Sequence, residues 1–176
     1  KIIITTAGEN STNSDNSAVQ LTWGGNVTLT SNEITLTSET RTDSNNFSIY
    51  ASSHKTDATV ELHGKGAQSS LILSTKNAEG IGIYTYAYSA DHSAKVELED
   101  FYNAHIESDI GIYARARDGD TLVQSNSIET LTMRNSQNGI YVQTGYDKHN
   151  GSSRISLSAK NIDLQISNGT GIEADS

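Results

Sequence analysis

The chain has 176 residues, 21 acidic and 12 basic side chains, a formal net charge of -9, and 34% hydrophobic residues. That charge argues against nucleic acid or an anionic membrane as a partner, since either demands a basic face. With no cysteine there is no disulfide framework and no thiolate metal site, and no apolar run approaches the length of a membrane span, so no membrane insertion by this segment is expected.

Proline is absent as well, and 14 glycines lie among abundant Ser, Thr and Asn, a bias toward short strands joined by Asn- and Gly-rich turns. Ile2-Ile3-Ile4-Thr5-Thr6-Ala7 reads as the last strand of a turn begun earlier in a longer protein, and a polar loop follows from Gly8 to Ser17. Ala18-Val-Gln-Leu-Thr-Trp23, Val27-Thr-Leu-Thr30 and Ile34-Thr-Leu-Thr37 then alternate with period two, as half-buried strands do. Gly24-Gly25-Asn26 is turn material between the first two.

Three strand patterns then recur. Val60-Glu-Leu62, Val96-Glu-Leu98, Ile128-Glu-Thr-Leu131 and Ile155-Ser-Leu157 mark one; Leu71-Ile-Leu73, Ala104-His-Ile106, Leu131-Thr-Met133 and Leu164-Gln-Ile166 mark another. The third is the clearest: Gly82-Ile-Tyr84, Gly111-Ile-Tyr113, Gly139-Ile-Tyr141 and Gly171-Ile-Glu173, with a degenerate copy at Phe47-Ser-Ile-Tyr50. Its isoleucines, at 49, 83, 112, 140 and 172, stand 34, 29, 28 and 32 residues apart. Polar loops follow each copy, at Ser52 to Asp57, Ser89 to Ser93, Asp118 to Ser127 and Gly145 to Ser153. Such a repeat predicts an all-β fold, a right-handed parallel β-helix of about five coils with three short strands per coil. Residues 1–176 are expected to form one domain about 24 Å long, with aliphatic ladders inside. Neither end carries a polar cap, which points to a piece of something longer.

Short degenerate coils, Asn/Ser/Thr/Gly-rich turns and repeated Gly-Ile-Tyr strands, without cysteine or proline, resemble the right-handed β-helical passenger of a bacterial autotransporter adhesin. The resemblance covers the chain from Ala18 onward. It implies secretion through an outer-membrane barrel, display on the bacterial surface, and adhesion or self-association.

Alternation along the third strand places Ile83, Thr85 and Ala87 inward and Tyr84, Tyr86 and Tyr88 outward; the following coils present Tyr113, Arg115 and Arg117, then Tyr141 and Gln143. Tyr50 extends this column by one coil and Glu173 ends it. Tyrosine and arginine combine flat apolar area with hydrogen-bond donors, which suits a face for a host cell-surface protein, a glycan or a second copy of the chain. The same stacked side chains also stabilise neighbouring strands. The adjoining loops add His54, Lys55, Asp57, Asp91, His92, Asp118, Asp120, Tyr146, Asp147, Lys148 and His149, residue types equally at home in turns.

Catalysis has little to stand on in the sequence. Candidate carboxylates are Glu97, Glu99 and Asp100, Glu107 and Asp109, and Asp118 with Asp120, whereas a glycosidase needs two held at a defined separation. Glu61, Glu97 and Glu129 are expected to form one exposed column. The five histidines show no metal-ligand spacing, and Asp118-Gly119-Asp120 alone is too small for calcium. The expectation is therefore a non-catalytic, extracellular adhesin segment without cofactor or metal. The alternatives are a polysaccharide-processing β-helix, as in tailspikes and lyases, and an inert stalk carrying a distal domain.

Overall fold

The computed structural model describes residues 1–8, 16–22, 24–40, 45–76, 80–145 and 151–176. Strands β1 (Ile2–Gly8), β2 (Asn16–Leu21) and β3 (Asn26–Thr30) make the first turn of a parallel β-helix, and β4 (Glu33–Thr40), β5 (Asn46–Ser53) and β6 (Ala58–His63) the second. The third consists of β7 (Ser70–Lys76), β8 (Gly80–Ala87) and β9 (Ala94–Glu99), and the fourth opens with β10 (Asn103–Ser108) and β11 (Ile110–Ala116). Beyond it, β12 (Thr121–Asn135) closes the fourth turn and opens the fifth, which β13 (Ile140–Gln143) continues. β14 (Ser153–Ile166) likewise ends the fifth turn and, with β15 (Ile172–Asp175), starts a sixth. Among the described residues every strand pairing is parallel.

Because each turn stacks on the next, inward side chains form ladders along the axis. Val27, Val60, Val96, Val123 and Ile155 make one; Ile34, Leu71, Ala104, Leu131 and Ile162 a second; Ile49, Ile83, Ile112, Ile140 and Ile172 a third. Each fully buried aliphatic side chain contributes about 1.5–3 kcal/mol, so the core is a sum of near-identical layers. The isoleucine column falls in the register that the repeat predicts.

The other two columns require corrections. Ile128-Glu-Thr-Leu131 does not align with Val60 and Val96; Val123 pairs with Val96 and Gln124 with Glu97. Leu164-Gln-Ile166 is displaced by two residues, since Leu131 pairs with Ile162 and Met133 with Leu164. Nor is Asp118 to Ser127 all loop, because β12 begins at Thr121 and runs through the corner. Three short strands per coil hold for the first three turns; from β12 onward two faces join through long bent strands. The register shifts between Ser125 and Ile128, and Ser127 turns the corner with a left-handed backbone, φ 54°.

The glycine of the Gly-Ile-Tyr repeat has a steric cause. A Cβ on Gly82 would fall 2.5 Å from the carbonyl oxygen of Gly111, and Cβ atoms on Gly111 and Gly139 would collide likewise with the carbonyls of Gly139 and Gly171. The turns approach too closely there for any side chain. In the second turn Ser48 takes this place, its hydroxyl oxygen 3.1 Å from the carbonyl of Ser74 and 3.4 Å from that of Leu36, either of which accepts its single hydrogen.

Candidate functional site: an aromatic and cationic ladder

Parallel register converts the spacing of the repeat into a surface. Tyr50 pairs with Tyr84, Tyr84 with Tyr113, Tyr113 with Tyr141, and Tyr141 with Glu173. Ring centroids along the column stand 5.4, 5.2 and 4.9 Å apart. Two residues further along each strand runs a second row: Ser52, Tyr86, Arg115, Gln143 and Asp175. The guanidinium carbon of Arg115 lies 5.0 Å from the Tyr86 ring centroid, a cation over an aromatic face. Tyr113 donates its hydroxyl hydrogen to Gln143 Oε1 at 3.1 Å, and Gln143 Nε2 donates to Asp175 Oδ2 at 3.4 Å, so the two rows are tied together.

Tyr88 lies just past the end of β8, its ring 3.7 Å from that of Tyr86 and stacked on His54 at 4.2 Å. Arg117 is exposed, and its backbone N–H donates to Ala87 O at 3.0 Å, which fixes it beside this aromatic end. Nine of the ten sequence-predicted residues therefore belong to one continuous face. The tenth, Tyr146, lies outside the described residues, as do Asp147, Lys148 and His149.

Phe47 is a member that the repeat pattern did not reveal. It is only 4% exposed, with its ring 5.0 Å from Tyr50 and 5.6 Å from Tyr84. A backbone irregularity at Ser48, skipped in the pairing of both neighbouring strands, brings it to the tyrosine side. Its only sequence signal is its place in the degenerate copy.

The tyrosines are half-buried rather than projecting. Burial, followed by the neighbouring Tyr113 phenol, pushes the Tyr84 pKa far above the ordinary tyrosine value. Tyr88 is raised by burial and by its hydrogen bond with Tyr50, and Tyr113 and Tyr141 chiefly by burial. These four phenols are neutral at physiological pH, offering hydroxyls and ring edges; Arg115 and Arg117 supply positive charge, and Glu173 and Asp175 bring negative charge at the end of the two rows.

In the loops, acidic side chains hold the turns together. Asp57 Oδ1 accepts from Ser93 N–H at 2.8 Å and lies 3.8 Å from His92, while Asp120 Oδ1 accepts from both the N–H and the hydroxyl of Ser152 at 2.8 Å. The backbone and then the side-chain hydrogen bond from Ser152 hold the Asp120 carboxyl below its usual range. Asp118 is buried, and Asp91 adopts a left-handed turn, φ 64°.

The expected carboxylate column is overturned. Glu61 and Glu97 do align, but Gln124 occupies the next place and Glu129 belongs to another corner. Lys95 Nζ lies 2.6 Å from Glu97 and 3.9 Å from Glu61, and Gln124 Nε2 donates to Glu97 Oε1 at 2.5 Å. The Lys95 hydrogen bond leads in lowering the Glu97 pKa, opposite to what a general acid requires. His63 Nδ1 stands 3.1 Å from Glu99. Among the described residues no cluster of three or more His, Cys, Asp or Glu is placed to hold a metal ion. No protein-family model, no curated protein and no solved structure matches the chain.

Proposed function

We propose that this β-helix is a non-catalytic segment of a bacterial surface adhesin, of the autotransporter passenger kind, that attaches to host proteins or glycans or to another copy of itself. The observation that carries the reading is the register of Tyr86, Arg115 and Gln143 beside the column Tyr50, Tyr84, Tyr113 and Tyr141. It makes a rigid, mixed aromatic and cationic strip across four turns. Arginine and tyrosine are the residue types that most often dominate protein contacts, and a strip repeated along a rod favours many weak contacts acting together. In this reading the chain works outside the cell, on the bacterial surface.

A stalk that presents a distal domain is the second reading, favoured by the rings packing against one another rather than projecting. Attachment of the fluorescently labelled chain to host cells separates the two. The variant Tyr86→Ala, Arg115→Ala, Arg117→Ala spares the most buried rings. Loss of attachment by a variant with unchanged circular dichroism supports the adhesin, whereas undiminished attachment removes this face from recognition.

A further inference from the structure

The most open aromatic side chain among the described residues is not on the ladder. It is Tyr102, 48% exposed, at the corner between β9 and β10. Its neighbour Phe101 is 1% exposed and anchors the same corner in the core, so the backbone beneath Tyr102 is fixed from inside.

Three successive turns meet here around a groove of about 700 Å³, with Gly66, Ala67, Asp100, Tyr102, Ser127 and Glu129 among its walls. That volume lies within the range of ligand sites. Gly66, Asp100 and Ser127 all have left-handed backbones, φ 96°, 59° and 54°, a conformation uncommon for the last two. The corner is held in shape by Ser69, whose hydroxyl oxygen lies 2.6 Å from Asp100 O and 2.8 Å from Gly66 O, and whose carbonyl accepts from Tyr102 N–H at 3.0 Å. Glu129 N–H donates to Phe101 O at 3.1 Å, and Lys160 Nζ holds the Glu129 carboxylate at 2.7 Å. These contacts preorganise the walls, which lowers the ordering penalty of binding.

The chemistry of the groove selects its occupant. A pyranose has a flat C–H face matching an exposed phenol ring and a rim of hydroxyls matching carboxylate acceptors. Gly66 and Ala67 leave room for its bulk. Asp100 and Glu129, on a chain of net charge -9, outnumber the one cation held at the corner, Lys160, and so disfavour a sugar carrying sulfate or carboxylate. We propose that this corner is a binding site for a neutral oligosaccharide, with Tyr102 as stacking platform and Asp100, Ser127 and Glu129 as hydroxyl partners. The site is separate from the ladder and stands whether or not the ladder mediates adhesion.

The test is NMR titration with a panel of neutral oligosaccharides built from hexoses and N-acetylhexosamines, with hyaluronan oligosaccharides as the anionic comparator. The expected result is saturable binding of at least one neutral oligomer, weakened ten-fold or more in Tyr102→Ala, largely retained in Tyr102→Phe and unchanged in Arg154→Ala, an exposed position of β14 outside both the groove and the ladder. Circular dichroism of Tyr102→Ala verifies its fold, and Glu129→Gln, which keeps the shape of the side chain, is expected to weaken binding independently of the ring. Failure of the whole neutral panel, unaltered binding by folded Tyr102→Ala, or equal binding of hyaluronan would each overturn the proposal.

Discussion

Tyr84 and Tyr113 occupy the same place in successive turns, paired across parallel strands with ring centroids 5.2 Å apart and planes at 62°. This edge-to-face contact joins two turns that are 29 residues apart in sequence, and Tyr113 in turn stacks on Tyr141 at 4.9 Å. Aromatic pairs of this kind contribute about 0.5–1.5 kcal/mol beyond burial. Tyr113→Ala is therefore expected to lower unfolding stability by about 2–4 kcal/mol, and Tyr113→Phe, which loses only the hydrogen bond to Gln143, by about 1 kcal/mol. Urea denaturation of the two variants measures the difference; an alanine variant as stable as the parent would deny the ladder any structural role.

Glycine substitution separates close approach from ordinary turn preference. Gly111→Ala drives a methyl group into the Gly139 carbonyl, while a methyl group on Gly24 would meet nothing within 4 Å, so that position serves as a control. The expected loss is about 2 kcal/mol or more for Gly111→Ala and less than about 0.5 kcal/mol for Gly24→Ala. Thermal melts of both proteins decide it.

Aliphatic positions in the middle of the stack and in its last turn are expected to differ. Leu73 is fully buried between Leu36 and Ile106, whereas Ile162 faces inward in the last turn but is 45% exposed. Leu73→Ala should cost about 2–5 kcal/mol, and Ile162→Ala about 1 kcal/mol or less, in chemical denaturation. Equal losses would contradict layer-by-layer stacking.

Alkaline stability follows from the buried phenols. For Tyr84, Tyr88, Tyr113 and Tyr141 the folded pKa is raised, so between the unfolded value near 10 and the folded value the native state binds more protons than the unfolded one. Their contribution is complete below pH 10 and declines as pH rises above it. Tyr84→Phe is expected to make the decline shallower, as read from urea midpoints between pH 9 and 11.5.

Acid acts on the other sheet and with the opposite sign. Glu97 has a lowered folded pKa, chiefly through Lys95, so its contribution is present above the unfolded carboxylate value near 4.5 and fades as the pH falls through the folded one. Lys95→Met should flatten the acid limb of the stability profile. An unchanged limb would remove Lys95 as the cause.

The isoleucine and tyrosine columns were legible in the sequence because Gly-Ile-Tyr carries three constraints at once: a close approach that excludes a side chain at Gly82, Gly111 and Gly139, an inward aliphatic and an outward aromatic. The Val-Glu-Leu column was less so, because the inward place of Leu98 is taken by Ser125 in the next turn, and Ile128-Glu-Thr-Leu131 imitates the lost alternation. Ile162-Asp-Leu164 and Leu164-Gln-Ile166 are equally good strands by pattern, since a slip of two residues preserves every inward and outward assignment; the hydrogen bonds to β12 choose between them. Phe47 and Tyr102 were hidden for a related reason. Counting by two from Ile49 turns Phe47 inward until the irregularity at Ser48 brings it against Tyr50 and Tyr84, and Tyr102 follows a left-handed Asp100 where no period applies. Periodicity is a property of the chain, so the class of fold and the side chains that recur could be read from residue order alone. Which residues become neighbours and which remain open at a corner depends on register and bends, and these are settled by contacts between turns.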